Sequence, residues 1–143
     1  MSAKYRLPRT GQSPIAFEGE LIAEAKSPAF FRHQIDREAK CHWFEVEVYR
    51  TTGDCIIAHI GYRWAGSLFR EVSQDHVFHG SQSDVTAWIR GFDHAGCIGG
   101  FPEGKEFLKK QHKLIASVTE DYGLLVDVIE QKLLDLAEPE VLT

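Results

Sequence analysis

The chain has 143 residues, 43% of them hydrophobic and 26% charged, with a formal charge of −5. That is long enough for one core without staples, and too acidic overall for a general nucleic-acid binder, whose field is normally basic. No run approaches the roughly 20 apolar residues of a membrane span, and the basic start Met1–Arg9 has no apolar stretch behind it, so no membrane and a cytoplasmic setting are expected.

Three scattered cysteines, Cys41, Cys55 and Cys97, are too few for a disulfide framework and are expected to be reduced. The acidity is local. Residues 116–143 hold seven carboxylates (Glu120, Asp121, Asp127, Glu130, Asp135, Glu138, Glu140) against the single base Lys132.

Residues 1–13, punctuated by Pro8 and Gly11, read as a flexible arm. From Ile15 the pattern alternates, with Ile15, Phe17, Leu21 and Ala23 on one side and Glu18, Glu20 and Glu24 on the other. This is a half-buried strand with Gly19 as the candidate bulge. Residues 27–40 fit either a short helix opened by Ser27-Pro28 or an extended connection.

The clearest pattern follows. His42–Arg50 and Asp54–Tyr62 both alternate, and Thr51-Thr52-Gly53 between them fits a three-residue hairpin loop with Gly53 in the left-handed position. Closing it with Arg50 opposite Asp54 pairs Val48 with Ile56, Val46 with Ala58 and Phe44 with Ile60. Glu45 then falls opposite His59. A further strand is expected from about Leu68 to Phe78. Ser83-Asp84 would open a short helix carrying Val85, Trp88, Ile89 and Phe92 on one stripe and ending at Gly91. Residues 105–137 are expected as one helix, or as two broken near Tyr122-Gly123. The fold class expected over 1–143 is therefore a single α+β domain. It would be an antiparallel β-meander of three to four strands, with a short helix and a long C-terminal helical segment packed on one face.

Candidate chemistry is diffuse. His76-x-x-His79 and His94-x-x-Cys97 lack the short convergent spacing of a zinc site, and residues three apart on a strand face opposite ways, so no metal is expected. Gly99 to Lys105 matches the start of a phosphate-binding loop, but Glu106 replaces the hydroxyl that holds magnesium, and Pro102 removes an N–H. A turn is the expected reading, and no cofactor is assigned.

Glu45 and His59 form the candidate catalytic pair on the sheet face turned away from the helices. Trp43, Glu47, Tyr49 and Cys55 are the ligand-binding candidates around them. Lys105, Lys109, Lys110 and Lys113 form a basic row that could meet phosphate, although nucleic acid remains an unlikely partner for an acidic chain. The apolar stripe Leu108, Ile115, Val118, Tyr122, Leu125, Ile129 and Leu133 is the candidate interface, because a ~30-residue helix spans about 45 Å and would overhang short strands.

The leading expectation is a non-catalytic interaction or regulatory protein, a homo-oligomer with a dimer favoured, joined through that segment. The alternative is a small enzyme or ligand-binding domain on the outer sheet face. A concave, partly buried face would favour the alternative. An open face with His59 in solvent would remove it.

Overall fold

The computed structural model describes residues 2–27, 30–31, 40–66, 69–99 and 112–136. Its frame is one antiparallel sheet of five long strands: β1 (Ala3–Arg9), β2 (Gln12–Lys26), β4 (Lys40–Thr51), β5 (Ile56–Gly66) and β6 (Phe69–Gly80). They lie in the spatial order β1-β2-β4-β5-β6, and the two-residue β3 (Phe30–Phe31) adds to β4. Three helices are described: α1 (Gln82–Gly91), α2 (His94–Gly99) and α3 (His112–Asp135). The α+β class with an antiparallel sheet holds, with five long strands rather than three to four.

The extra strand comes from the expected arm. Ala3–Arg9 is a strand, paired Tyr5 with Phe17 and Leu7 with Ile15. Pro8 is tolerated because β1 is an edge strand and needs no donor on its outer side. The sheet curls until its two edges meet at one point. There the Thr10 N–H donates to the Asp75 carbonyl at 2.9 Å, and the Asp75 N–H donates to Thr10 Oγ1 at 2.7 Å.

Alternation sends each strand's side chains to two faces, and both faces are filled. Phe44, Val46, Val48, Ala58, Ile60 and Tyr62 form the main core with Val85, Ile89, Val118, Tyr122, Leu125, Val126, Ile129 and Leu133 of the helices. Inside the curl, Leu7, Tyr49 and Ile57 form a second, smaller core with Tyr5, Ile15, Phe17 and Val77. Each such side chain contributes roughly 1.5–3 kcal/mol when fully buried.

The β4–β5 hairpin has its expected faces but not its expected register. Val48 pairs with Ala58, Glu47 with His59 and Val46 with Ile60, two residues from the anticipated ladder. The loop is Thr52-Gly53-Asp54, closed by the Thr51 N–H donating to the Cys55 carbonyl at 2.8 Å. The left-handed residue is Asp54 (φ 62°), not Gly53. Aspartate tolerates that conformation better than most residues, so the three-residue loop moved one position along.

The bulge in β2 also differs. It falls between Leu21 and Ala23, which pair with Tyr49 and Val48. Beyond it the faces swap: Ala23 and Ala25 turn to the helices, while Glu24 and Lys26 pair with Glu47 and Glu45. Gly19 serves a different purpose, since a Cβ there would collide with the Arg50 carbonyl oxygen.

Helix α1 is capped by Ser81, whose side chain accepts from the Asp84 N–H at 3.2 Å, two residues before the expected start. Helix α3 runs unbroken through Gly123. Its stripe Val118, Tyr122, Leu125, Ile129 and Leu133 is buried against this chain's own sheet, so these residues are core and not a free interface. They do not overhang the sheet because β2, β4, β5 and β6 are 11 to 15 residues long, roughly twice the usual reach. The side chain of Ile115 and all of Leu108 lie outside the described residues. No helix among the described residues is long and apolar enough to cross a membrane.

Candidate functional site

The inner face of the curl has an aromatic half and a charged half. Tyr5, Phe17 and Tyr49 pack together with centroids 4.7 to 5.4 Å apart. Beyond Tyr49, the inward positions of β4, β5 and β6 become Glu47, Glu45, Trp43, His59, Arg63 and Asp75. These groups form one chain of alternating charge.

His59 is its centre and is only 4% exposed. Its Nδ1 lies 2.8 Å from Glu47 Oε1 and its Nε2 lies 2.8 Å from Asp75 Oδ1. A carboxylate can only accept, so both nitrogens must carry hydrogen: the ring is an imidazolium donating in two directions. Burial pulls its pKa down, but the bonds and charges of Asp75 and Glu47 outweigh burial and hold it above the usual histidine range.

The carboxylates respond in the opposite sense. Glu47 is held low by its bond to His59, against a smaller opposing effect of burial, and the Tyr49 hydroxyl bonds the same group. Burial pushes Asp75 up, but His59 and Arg63 together bring it below the ordinary range. Tyr49 itself is pushed well up, by burial first and by the Glu47 charge second.

Arg63 extends the chain. Its Nη1 is 2.9 Å from Asp75 Oδ1 and its Nε is 3.7 Å from Glu45 Oε2. Gly61 makes this possible, because a Cβ at Gly61 would lie 2.6 Å from the Arg63 guanidinium. Glu45 Oε1 accepts from Trp43 Nε1 at 2.9 Å and faces Lys26 Nζ at 3.4 Å. The chain ends at a cavity of ≈470 Å³ lined by Glu24, Ala25, Lys26, Glu45, Val46, Glu47 and Lys132. Lys132 Nζ donates to the Glu24 carbonyl at 2.6 Å, so α3 supplies one wall.

Of the expected residues, Trp43, Glu45, Glu47, Tyr49 and His59 come together on this face. The partner assigned to His59 was wrong: the register places Glu47 opposite it, with Asp75 on its far side, and Glu45 belongs to Arg63. Cys55 sits in the β4–β5 turn, outside the charged chain. Lys105, Lys109 and Lys110 lie outside the described residues, as does the side chain of Lys113.

Sequence reasoning missed Asp75, Arg63, Gly61 and Thr10. A signal was present. Ile57, His59, Gly61 and Arg63 share one face of β5, and Asp75 shares a face with Val77 on β6; carboxylates on apolar-patterned faces mark buried charges in need of partners.

His76 and His79 point to opposite faces of an unbroken strand, opposite Ile60 and Ile57. Among the described residues no group of three or more His, Cys, Asp or Glu side chains is placed to share a metal. Compared with known proteins, the chain matches no family model, no curated protein and no solved structure.

Proposed function

We propose that this protein is a small-molecule-binding domain whose ligand carries an ammonium or guanidinium group and enters the cavity at the charged end of the curled sheet. One observation carries the reading: a chain of alternating charges, buried at His59 and Asp75 and half-buried beyond them, ends on that cavity, with Glu45 and Glu47 at its mouth. For stability alone the chain is a poor investment, because well-packed apolar residues replace buried ion pairs at little or no cost. Its arrangement suits a different task, which is to fix two carboxylates in place.

Glu47 is kept ionised by His59. Among the described residues, Glu45 Oε2 meets only Arg63, at 3.7 Å, beyond hydrogen-bond range, so this oxygen can accept from a ligand cation. Lys26, 72% exposed, is the group such a cation would displace. His59 cannot serve as a general base here, since both of its nitrogens are committed. That favours binding over catalysis.

Thermal-shift titrations with agmatine, spermidine and ethanolamine, beside acetate and phosphate, test the reading. At least one amine should raise the wild-type melting temperature, and Glu45→Gln should abolish the gain. Stabilisation by the anions alone would point to the lysines instead, and no shift with any amine would end the proposal.

A second reading, self-association, rests on Leu124, Val128, Leu134 and Leu136, which are 46% to 65% exposed on and just beyond α3. A monomeric mass by light scattering at micromolar concentration would remove it.

A further inference from the structure

Among the described residues, the helix-covered side of the sheet holds two imidazoles that play no part in the cavity or the charged chain. His76 projects from β6 and His94 begins α2. Each has one ring nitrogen buried without a hydrogen-bond partner, Nε2 of His76 and Nδ1 of His94. Both stand in a run of rings that fastens the helices to the sheet. Phe78 stacks on Trp88 at 5.4 Å, Trp88 meets Phe92 at 5.7 Å, and Phe92 lies edge-on to His76 at 5.1 Å. On its other side Phe92 reaches Tyr122, on which His94 stacks at 4.7 Å. Phe92 is thus the residue that joins the end of α1 to both β6 and α3.

We propose that protonation of His76 releases the α1–α2 corner from the sheet, so that the corner works as an acid-operated latch. The neutral tautomer with its hydrogen on Nδ1 leaves only a lone pair at the buried Nε2. The imidazolium places an N–H at that buried atom of a half-buried ring with no acceptor among the described residues, and an unpaired N–H there is costlier than a lone pair.

Among the described residues, the surrounding charged groups do not supply that partner. On β6, Asp75 faces the other side of the sheet and is taken by His59 and Arg63. On β5, His59 is itself cationic. From α1, Arg90 is a further cation, bonded to Asp127 and Glu130 of α3. At the corner, Asp93 accepts from the Gly96 N–H at 2.9 Å. From α2 come His94 and the buried thiol of Cys97, and from α3 the Tyr122 hydroxyl, which donates to the Ile89 carbonyl. Burial holds His76 below its ordinary value; Asp75 opposes this and His59 reinforces it.

The sign follows. When the corner opens, the ring regains its ordinary value of 6.5. The open form therefore takes up the proton first, and closure weakens as pH falls below 6.5, by up to about ten-fold per pH unit.

Hydrogen exchange read by mass spectrometry at pH 7.5 and 5.5, with rates normalised to intrinsic exchange at each pH, tests the latch. Peptides within 82–99 should exchange faster at pH 5.5, by up to about ten-fold, while those of β4 and β5 do not change. His76→Phe keeps the ring contact and should remove the response; His76→Gln, which cannot be protonated either, serves if phenylalanine disturbs the packing. An unchanged rate in the wild type overturns the proposal, as does a rise shared by β4 and β5 or one that persists in both His76 variants. Loss of the response in His94→Gln alone overturns it too, by assigning the proton to His94.

Discussion

At the scale of the residue, His59 decides how the inner face works. It stands between two carboxylates at 2.8 Å, and among the described residues it is the only cation that touches Glu47. Truncation to alanine takes that cation from Glu47 and leaves Asp75 its pairing with Arg63. Breaking a buried pair from one side costs about 3–5 kcal/mol, more than either partner contributes by packing. His59→Ala should therefore lose stability of that order in urea unfolding, while Cys55→Ala, in the turn, should lose under about 1 kcal/mol. A loss below about 1 kcal/mol for His59→Ala would mean that solvent already reaches the pair. The importance of His59 could be read from the sequence, but its partner could not. Matching apolar faces excludes one-residue slips and accepts two-residue slips equally, because both keep every side chain on its own face. The slip left Trp43, Glu45, Glu47 and His59 on the predicted side and changed only which carboxylate met the imidazole.

At the scale of the element, the hairpin and the bulge settle what alternation leaves open. The register depends on which loop residue takes the left-handed conformation, and glycine was the reasonable expectation at Gly53. In the structure Asp54 takes it, and a Cβ on Gly53 would meet nothing closer than Thr51 Oγ1 at 3.9 Å. Gly19 looked like a bulge residue and is instead a close-approach residue under the Arg50 carbonyl. Gly19→Ala should therefore cost roughly 1–3 kcal/mol, because backbone on two strands must move. Gly53→Ala should change stability by less than about 0.5 kcal/mol. Urea midpoints of the two variants check the pair, and a reversal of their order would restore the register first expected. The real bulge, at Ile22, has no glycine or proline to announce it. Its consequence is large all the same: it turns Glu24 and Lys26 toward Glu47 and Glu45, and so places the cavity at that end of the sheet.

At the scale of the whole molecule, the two cores on either side of the sheet respond to pH in opposite directions. On the inner face, His59 has a raised pKa. Its contribution is complete below the ordinary value of 6.5 and is lost as pH rises through the raised folded value. On the helix side, His76 has a lowered pKa, so its neutral form is the one compatible with folding and stability falls as pH drops below 6.5. Glu47 and Asp75 are lowered as well. They add a further loss only in stronger acid, as pH falls from their ordinary values of 4.5 and 3.8 through the lower folded ones. Unfolding free energy measured from pH 4 to 9 should therefore peak near 6.5 and decline on both sides, with a steeper fall below about pH 4.5 where the carboxylates join. The two limbs have different owners, which makes the profile separable. His76→Phe should flatten the decline between pH 6.5 and 5 and leave the alkaline limb intact. His59→Gln, lower throughout, should lose the alkaline limb and keep the acid one. A flat wild-type profile between pH 5 and 8 would mean that neither imidazole is held as tightly as its surroundings require. If one variant erased both limbs, the two faces of the sheet would be a single coupled unit, with the strand carrying Asp75 and His76 side by side as the connection.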